Sequence, residues 1–113
     1  MDDLIKALRL FVKERDWEQF HSPKNLSMAL SVETAEVVEL FQWLTQEQSK
    51  NLSPEKRQAL ADEIGDVLIY LTMLADKFGI DPMEAAKEKM KKNIVKYPAN
   101  KVKGKSGKYT EYD

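Results

Sequence analysis

The 113-residue chain contains no cysteine, one histidine and four glycines. The lack of cysteine excludes a disulfide framework, a thiolate nucleophile and a cysteine-rich zinc site. With His21 as the single histidine, no metal cage built on paired histidines can form. The glycines at 65, 79, 104 and 107 stand too far apart for a GxxxxGK or GxGxxG phosphate loop. Any phosphate group must therefore be held by other means.

Long apolar runs are also missing. No run approaches the roughly 18 residues that a membrane-spanning helix requires. The start Met1-Asp2-Asp3 has neither the basic region nor the apolar stretch of a secretory signal. We therefore expect a soluble protein of the cytoplasm that has no membrane partner.

Charge is unevenly distributed along the chain. Residues 1–86 carry 9 Lys/Arg against 16 Asp/Glu, a net charge of −7, whereas residues 87–113 carry 9 Lys against 3 acids, a net charge of +6. The basic end fits a solvated tail, or lysines that hold an anion beside carboxylates that bind a cation. A nucleic-acid tail is the third alternative. Because three tyrosines among lysines are a thin signal for base stacking, we expect no nucleic-acid partner.

Helical spacing of apolar residues runs through most of the chain, and neither strand alternation nor a repeat is present. The pattern predicts helices over 2–15, 25–44, 54–78 and 82–97. Ser53-Pro54 and Asp81-Pro82 are typical helix starts, and Gly79 is a typical stop. We therefore expect an all-α four-helix bundle with long second and third helices, formed by residues 1–98. Residues 99–113 are expected to form a flexible basic tail or flap.

Carboxylates fall on the apolar faces of the two long helices. Glu33 lies near the centre of a stripe on the second helix, and Glu36 lies about 60° away from it. On the third helix, Glu63, Asp66 and Tyr70 lie along one shoulder of the apolar stripe. The two stripes consist of Leu26, Leu30, Val37, Leu40 and Leu44, and of Leu60, Ile64, Val67, Leu71, Leu74 and Phe78.

Acids in these positions require a compensating cation. An unpaired buried carboxylate costs several kcal/mol or changes its protonation state. Lys and Arg are scarce on the two faces, and an all-oxygen ligand set favours Mg²⁺ or Mn²⁺ over zinc. A single pair of acids three residues apart is common on solvated helices. The hypothesis of a metal site therefore depends on the occurrence of one such pair on each of the two long helices. A di-iron bundle is excluded because no histidine follows residue 21.

Glu33-x-x-Glu36, followed after 26 intervening residues by Glu63-x-x-Asp66, resembles the signature of the MazG-like all-α nucleoside triphosphate pyrophosphohydrolases. Further blocks resemble the dCTP pyrophosphatase branch of that family. The resemblance extends over residues 4–111, and the ordered set of blocks is far more specific than the acid pairs. The blocks are Arg15-Asp16-Trp17-Glu18-Gln19-Phe20-His21, Asn25-Leu26, Ala29-Leu30, Glu39-Leu40-Phe41-Gln42-Trp43, Asp66-Val67-Leu68-Ile69-Tyr70-Leu71, Asn93, Lys96-Tyr97-Pro98 and Lys108-Tyr109-Thr110-Glu111.

The resemblance implies that residues 1–98 form the catalytic domain and that four acids bind Mg²⁺, with Mn²⁺ as the alternative. The metal ligands would be Glu33, Glu36, Glu63 and Asp66. Water would attack the α-phosphorus of dCTP or a related, 5-modified deoxynucleoside triphosphate, which clears such nucleotides from the pool. Charge neutralisation and in-line positioning matter most in such a reaction. We expect Glu36 to activate the water, with Glu39 as second choice.

The nucleotide itself would be held by two groups of residues. Trp17, His21, Trp43 and Tyr70 match positions of the nucleoside pocket, and Glu18, Gln19 and Phe20 complete the connector that supplies polar contacts. Both tryptophans also fit ordinary core packing, and His21 also fits a helix cap. The phosphate ligands are expected on and after the fourth helix, at Lys89, Asn93, Lys96, Tyr97 and Lys108. By spacing alone, Lys89, Asn93 and Lys96 fit a solvated face equally well.

Apolar shoulder residues of the long helices, including Val38, Phe41 and Met73, indicate a further buried face. Together with the resemblance, this predicts a homotetramer, a dimer of dimers with active sites near subunit boundaries. The alternative to an enzyme is a catalytically silent helical interaction module whose acidic cluster holds a structural cation.

Overall fold

The computed structural model describes residues 1–104, and every regular element in this range is helical. The all-α class is therefore confirmed. Four long helices and two of a single turn are joined by short connectors, one of which contains a 3₁₀ turn. The elements are α1 (Asp2–Glu14), the 3₁₀ turn Glu18–Phe20, α2 (Pro23–Glu39), α3 (Gln46–Ser49), α4 (Pro54–Asp76), α5 (Pro82–Lys96) and α6 (Ala99–Val102).

Capping side chains stabilise the first turns of α2, α4 and α5. Ser22 and Ser53 accept the backbone N–H groups of Asn25 and Lys56, and each is followed by proline at the first helical position. Asp81 caps α5 by accepting from the N–H groups of Met83 and Glu84 at 2.8 and 3.1 Å. These oxygens satisfy donors that have no partner within the helix. The starts predicted at Ser53 and Asp81 are thus confirmed.

The predicted end of the second helix at Leu44 is wrong, because α2 ends at Glu39. Beyond it the backbone tightens into turns, in which Phe41 N–H donates to Val38 C=O and Leu44 N–H donates to Phe41 C=O, both at 2.9 Å. Thr45 then starts α3 with a capping box. Apolar spacing continues through these turns, so periodicity alone could not locate the end.

The helix count also differs from the predicted four. The long helices match the prediction in number and order, but α3 and α6 add two single turns. Residues 99–102, expected in the tail, form α6, with the N–H of Val102 donating to the C=O of Pro98 at 3.1 Å. The rest of the predicted tail, residues 105–113, lies outside the described residues.

The packing centres on α4. Helix α2 lies along α4, and α1 and α5 each make far fewer contacts with α4. Arg9 of α1 and Asp76 of α4 form a two-point ion pair in which Nε lies 2.8 Å from Oδ2. The buried residues within residues 1–104 are Val12, Leu26 and Thr72, of which Leu26 and Thr72 are fully buried.

Much of the apolar surface remains exposed in the single chain. Ile64, Leu71 and Phe78, which the sequence predicts to be core residues, are 53%, 40% and 64% exposed. The radius of gyration is 17.8 Å, against about 13 Å for a globular chain of this length. The isolated fold is therefore open and leaves much of α4 uncovered. Within residues 1–104, no helix combines the length and apolar character needed to cross a membrane.

Candidate active site

Three carboxylates meet where α2 packs against α4. Glu33, Glu36 and Glu63 each place one carboxylate oxygen within 4.8 Å of the others. The spacing of three residues puts Glu33 and Glu36 on neighbouring positions of one helix face, and helix packing brings Glu63 to them. All three side chains are half-buried. We call these residues, together with the adjacent Asp66, the acidic cluster.

Two oxygen atoms of the cluster lack hydrogen-bond partners. The Oε2 atoms of Glu33 and Glu63 are buried and have no hydrogen-bond partner among residues 1–104. A buried oxygen without a partner carries a desolvation cost that a ligand can offset. The donors are carboxylate oxygens, which suit a hard divalent cation better than zinc. The residues present therefore fit a divalent metal, although they do not select one such cation.

Electrostatics within the cluster raise the pKa of two acids. A hydrogen bond with the Glu36 carboxyl, followed by burial and the charges of Glu36, Glu33 and Asp66, raises the pKa of Glu63 to about 7. Burial is the main cause that raises the pKa of Glu33, and interaction with Glu36 and the charge of Asp66 add to it. Like charges held close together disfavour simultaneous ionisation. A cation would relieve this repulsion.

Asp66 connects the acidic cluster to a neighbouring cavity. Its charge acts on Glu33 and Glu63, although its oxygens are not part of the group of three that lie within 4.8 Å of one another. Asp66 also lines a cavity of about 360 Å³ between α1, the connector after it and α4. We call this space the aromatic cavity. Its lining residues are Ala7, Leu8, Phe11, Val12, Trp17, His21, Asp66, Ile69, Tyr70 and Met73.

The rings that line the cavity are packed edge to face. The Phe11 and Trp17 rings lie 5.5 Å apart at 75°, and the Trp17 and His21 rings lie 6.4 Å apart at 70°. The Arg15 guanidinium covers Phe11 at 3.7 Å from the ring centre. Such contacts fix ring orientations and leave flat faces for a planar ligand. Burial, with a smaller effect from the positive charge of Lys77, lowers the pKa of His21, so its ring is neutral at pH 7.

The connector 16–22 is held in a defined shape. Asp16 has a left-handed backbone with φ +54°, and the Gln19 amide donates to the Asp16 C=O at 2.9 Å. The Asn25 amide donates to the Phe20 C=O at 3.1 Å. These bonds place Trp17 and His21 in the cavity wall, while Glu18, Gln19 and Phe20 are exposed at its edge.

Two sets of predicted residues lie elsewhere. Trp43 follows the end of α2, is 87% exposed, and is not among the residues that line the aromatic cavity. Lys89, Asn93 and Lys96 lie along α5, where the positive charge of Lys96 is the main cause that lowers the pKa of Lys89. Tyr97 ends this helix, its N–H donating to the Asn93 C=O at 2.8 Å. Lys108 lies outside the described residues.

Some cavity residues have no signal in the sequence that would mark them as such. Phe11, Ile69 and Met73 read as ordinary members of apolar helix faces. Thr72 reads as a surface residue, yet it is 1% exposed and its hydroxyl has no partner among residues 1–104. A polar residue on an otherwise apolar helix face would have been the available clue.

Comparison with known proteins identifies the family. The MazG-like family model matches residues 28–112. The chain is 44% identical to dCTP pyrophosphatase 1 of Homo sapiens and 42% identical to that of Bos taurus, in each case over 98% of this chain and 66% or 67% of the relative, so it spans about two thirds of their length. A pyrophosphatase from Archaeoglobus fulgidus is 42% identical, with a TM-score of 0.81 over 87% of this chain and 92% of the other. The chain belongs to the MazG-like family.

Proposed function

We propose that the protein is a nucleoside triphosphate pyrophosphohydrolase that cleaves dCTP, or related 5-modified deoxynucleoside triphosphates, to the monophosphate and pyrophosphate. The observation that carries the proposal is the sharing of Asp66 between the acidic cluster and the aromatic cavity. A nucleotide needs one region for a metal-bound triphosphate and one for a flat base. The relatives named dCTP pyrophosphatase support the same reaction and the same base.

The acidic cluster is proposed to hold Mg²⁺, or Mn²⁺ in its place, through Glu33, Glu36, Glu63 and Asp66. The partnerless oxygens of Glu33 and Glu63 support this assignment. When bound, the cation neutralises triphosphate oxygens and makes the α-phosphorus more electrophilic. The carboxylates would hold this cation beside the aromatic cavity, which leaves the cavity for the base.

Glu36 is our choice for the residue that orients the attacking water and accepts its proton, and Glu39 remains second choice. Glu36 belongs to the group of three close carboxylates, whereas Glu39 ends α2 and is exposed. The water oxygen bonds to the α-phosphorus, and the bond from that phosphorus to the oxygen bridging to the β-phosphorus breaks. The electron pair leaves with pyrophosphate, while the water proton passes to the carboxylate.

Trp17, His21 and Tyr70 are proposed to bind the nucleoside in the aromatic cavity, because a flat ring fits against the indole face. Glu18, Gln19 and Phe20 supply the edge of this site. Lys89, Asn93 and Lys96, with Tyr97 and Lys108, are proposed to bind the phosphates, since cationic donors on one helix face suit phosphate oxygens. Among the described residues, Lys89, Asn93, Lys96, Tyr97 and Trp43 are not part of the lining of the aromatic cavity.

We therefore propose that the active form is a homotetramer, a dimer of dimers, with Trp43 and the lysine face contributing near subunit boundaries. The exposed apolar residues of α2 and α4 support this assembly, among them Val32, Val38 and Ile64 at 53–56% exposure. Monomeric proteins rarely expose such continuous apolar surface. Residues 1–98 are proposed as the catalytic domain and 99–113 as a basic tail or flap.

We place the protein in the cytoplasm, where it would remove excess or modified nucleotides from the pool. The proposal is tested by incubating the protein with Mg²⁺ and each deoxynucleoside triphosphate in water labelled with ¹⁸O. The expected products are pyrophosphate without label and a monophosphate that carries the label. Label in pyrophosphate would instead show attack at the β-phosphorus.

The matched variants are Glu63→Gln in the cluster and Asp62→Asn beside it. Asp62 is exposed and pairs with Gln58 at 3.0 Å, so its variant should turn over like the unmodified protein. Turnover should be lost in Glu63→Gln. If no nucleotide is hydrolysed while Mg²⁺ still raises the melting temperature, the cluster is a structural cation site in an interaction module.

A further inference from the structure

A small chamber adjoins the aromatic cavity at the carboxyl-terminal end of α4. Its volume is about 50 Å³, which is room for one small polar group or for water but not for a ring. The chamber and the aromatic cavity share Leu8, Val12, His21 and Met73 as walls. The chamber is therefore a side extension of the proposed nucleoside site.

Thr72 lines this chamber and carries a buried polar atom without a partner. The residue is 1% exposed, and its Oγ1 has no hydrogen-bond partner among residues 1–104. A helical threonine ordinarily satisfies its hydroxyl by bonding a carbonyl one turn earlier. A buried hydroxyl that does not do so carries a desolvation cost, which a ligand group entering the chamber would offset.

The remaining polar lining of the chamber includes groups that can accept from a ligand donor. The Glu18 carboxylate accepts only, and the neutral His21 ring offers one accepting nitrogen beside its one donor. Arg9 and Asp76 also line the chamber but are paired with each other. Lys77 is the remaining cationic group among the residues that line it. Glu18, His21 and Thr72 can therefore each accept a hydrogen bond from a ligand group in the chamber.

The position of Thr72 along α4 matches the far end of a nucleoside. Glu63, Asp66, Tyr70 and Thr72 follow one another along this continuous helix. At a rise of 1.5 Å and a rotation of 100° per residue, Thr72 lies about 9 Å beyond Asp66 along the helix axis and about 120° round it, so it lines the chamber and not the aromatic cavity. This separation is on the scale of the distance from an α-phosphate to the outer edge of a pyrimidine.

We propose that the Thr72 hydroxyl and the His21 ring form a polar subsite that takes the exocyclic amino group of the bound base, which makes Thr72 a specificity-determining residue. The assignment rests on the proposed function, since it takes the ligand to be a nucleotide. It adds a reason for preferring an aminopyrimidine, because stacking on Trp17 accepts any flat base.

The test compares the binding of three monophosphates by calorimetry, with the full chain in its native assembly and in the presence of EDTA. The probes are dCMP, dUMP and the 2-pyrimidinone deoxynucleotide, which lacks the amino group. Thr72→Val should weaken dCMP binding about 5-fold, as expected for one neutral hydrogen bond. The same change should leave the 2-pyrimidinone nucleotide unaffected, and Thr72→Ser should restore dCMP binding.

Thr34→Val is the matched control, because the Thr34 hydroxyl already donates to the Leu30 C=O at 2.9 Å on the exposed side of α2. It should bind all three nucleotides like the unmodified protein. Equal weakening of dCMP and the 2-pyrimidinone nucleotide by Thr72→Val would overturn the proposal, as would selective weakening of dUMP or no binding of dCMP at all.

Stability gives a second readout. Because the Thr72 hydroxyl is unpartnered, Thr72→Val should melt at the same temperature or higher, and a clear fall would show a structural role instead. The experiments distinguish a wrong assignment of the Thr72 subsite from a wrong proposed function. A protein that releases pyrophosphate from dCTP but shows no selective effect of Thr72→Val refutes the subsite alone. A selective effect without any turnover refutes the enzyme and leaves the subsite.

Discussion

The acidic cluster and the aromatic cavity share Asp66, yet they differ in how complete each is within one chain. The cluster holds carboxylates that raise one another's pKa and oxygens that lack partners. The cavity has rings fixed by edge-to-face contacts and a connector held by hydrogen bonds. The acidic cluster needs a cation to offset its repulsion, whereas the aromatic cavity is formed by contacts within the chain itself. The difference predicts that mutations in both regions lower activity but change stability in opposite directions.

The largest expected effect comes from neutralising one acid of the cluster. Glu63→Gln should reduce turnover by more than about 100-fold, since even outer-shell partners of metal ligands cost up to that factor. The same change removes a repelled charge, so the metal-free variant should melt above the unmodified protein, as at other functional sites. A turnover assay measures the first effect, and scanning calorimetry in EDTA and in Mg²⁺ measures the melting temperatures. A lower melting temperature in EDTA would show that the cluster is complete without a cation.

Mutations in the aromatic cavity should lower activity and should also lower the melting temperature. Trp17→Ala removes a stacking face worth about 1–3 kcal/mol per base, which corresponds to about a 5- to 150-fold rise in KM with kcat nearly unchanged. Its packing with Phe11 is also lost, so the variant should melt lower. Phe78→Ala, at a ring 64% exposed near the end of α4, is the aromatic control and should keep the KM. A fall in kcat alone would separate Trp17 from base binding.

The pH dependence of metal binding sharpens the contrast. The pKa of Glu63 is raised to about 7, above its ordinary value, so the folded protein holds a proton that the unfolded chain has lost. Stability of the metal-free protein should therefore fall as the pH rises from about 4.5 through 7. Because the cation competes with this proton, Mg²⁺ should raise the melting temperature more at pH 8 than at pH 6. If Mg²⁺ raised the melting temperature equally at pH 6 and pH 8, the result would contradict the raised pKa of Glu63.

The smallest effect concerns α5, which belongs to neither region in the single chain. Asp81→Ala removes the cap that accepts from Met83 and Glu84, and should cost about 1 kcal/mol of unfolding free energy. Asp81→Asn retains an accepting oxygen and should cost little. If α5 carries phosphate ligands as proposed, the alanine variant should also raise the KM for the triphosphate. Urea titration and steady-state kinetics measure the two effects.

Much of the fold follows from local chemistry in the sequence. Ser53 and Asp81 mark helix starts because a side-chain oxygen there satisfies free N–H groups, and Gly79 adopts φ +66° where a stop is predicted. The end of α2 escapes prediction because apolar spacing continues through its final turns. The exposure of Ile64 is not predicted either. A periodic stripe identifies an apolar helix face, but it does not show what covers that face.

The candidate site divides in the same way. Glu33 stands out because a carboxylate on an apolar face is costly, and the structure brings Glu36 and Glu63 to it. The neighbourhood of Asp66 and the aromatic cavity depends on how α1 and the connector lie against α4. That arrangement is set by tertiary contacts such as the Arg9–Asp76 pair, which no local pattern encodes.

Because Glu63, Asp66, Tyr70 and Thr72 all lie on the single 23-residue helix α4, their alignment depends on one helical phase. Inserting a single residue between Asp66 and Tyr70 would rotate everything beyond it by about 100° and advance it by about 1.5 Å. The cluster and the cavity would then point in different directions, although neither had lost a side chain. The middle of α4 can therefore change by substitution but not in length.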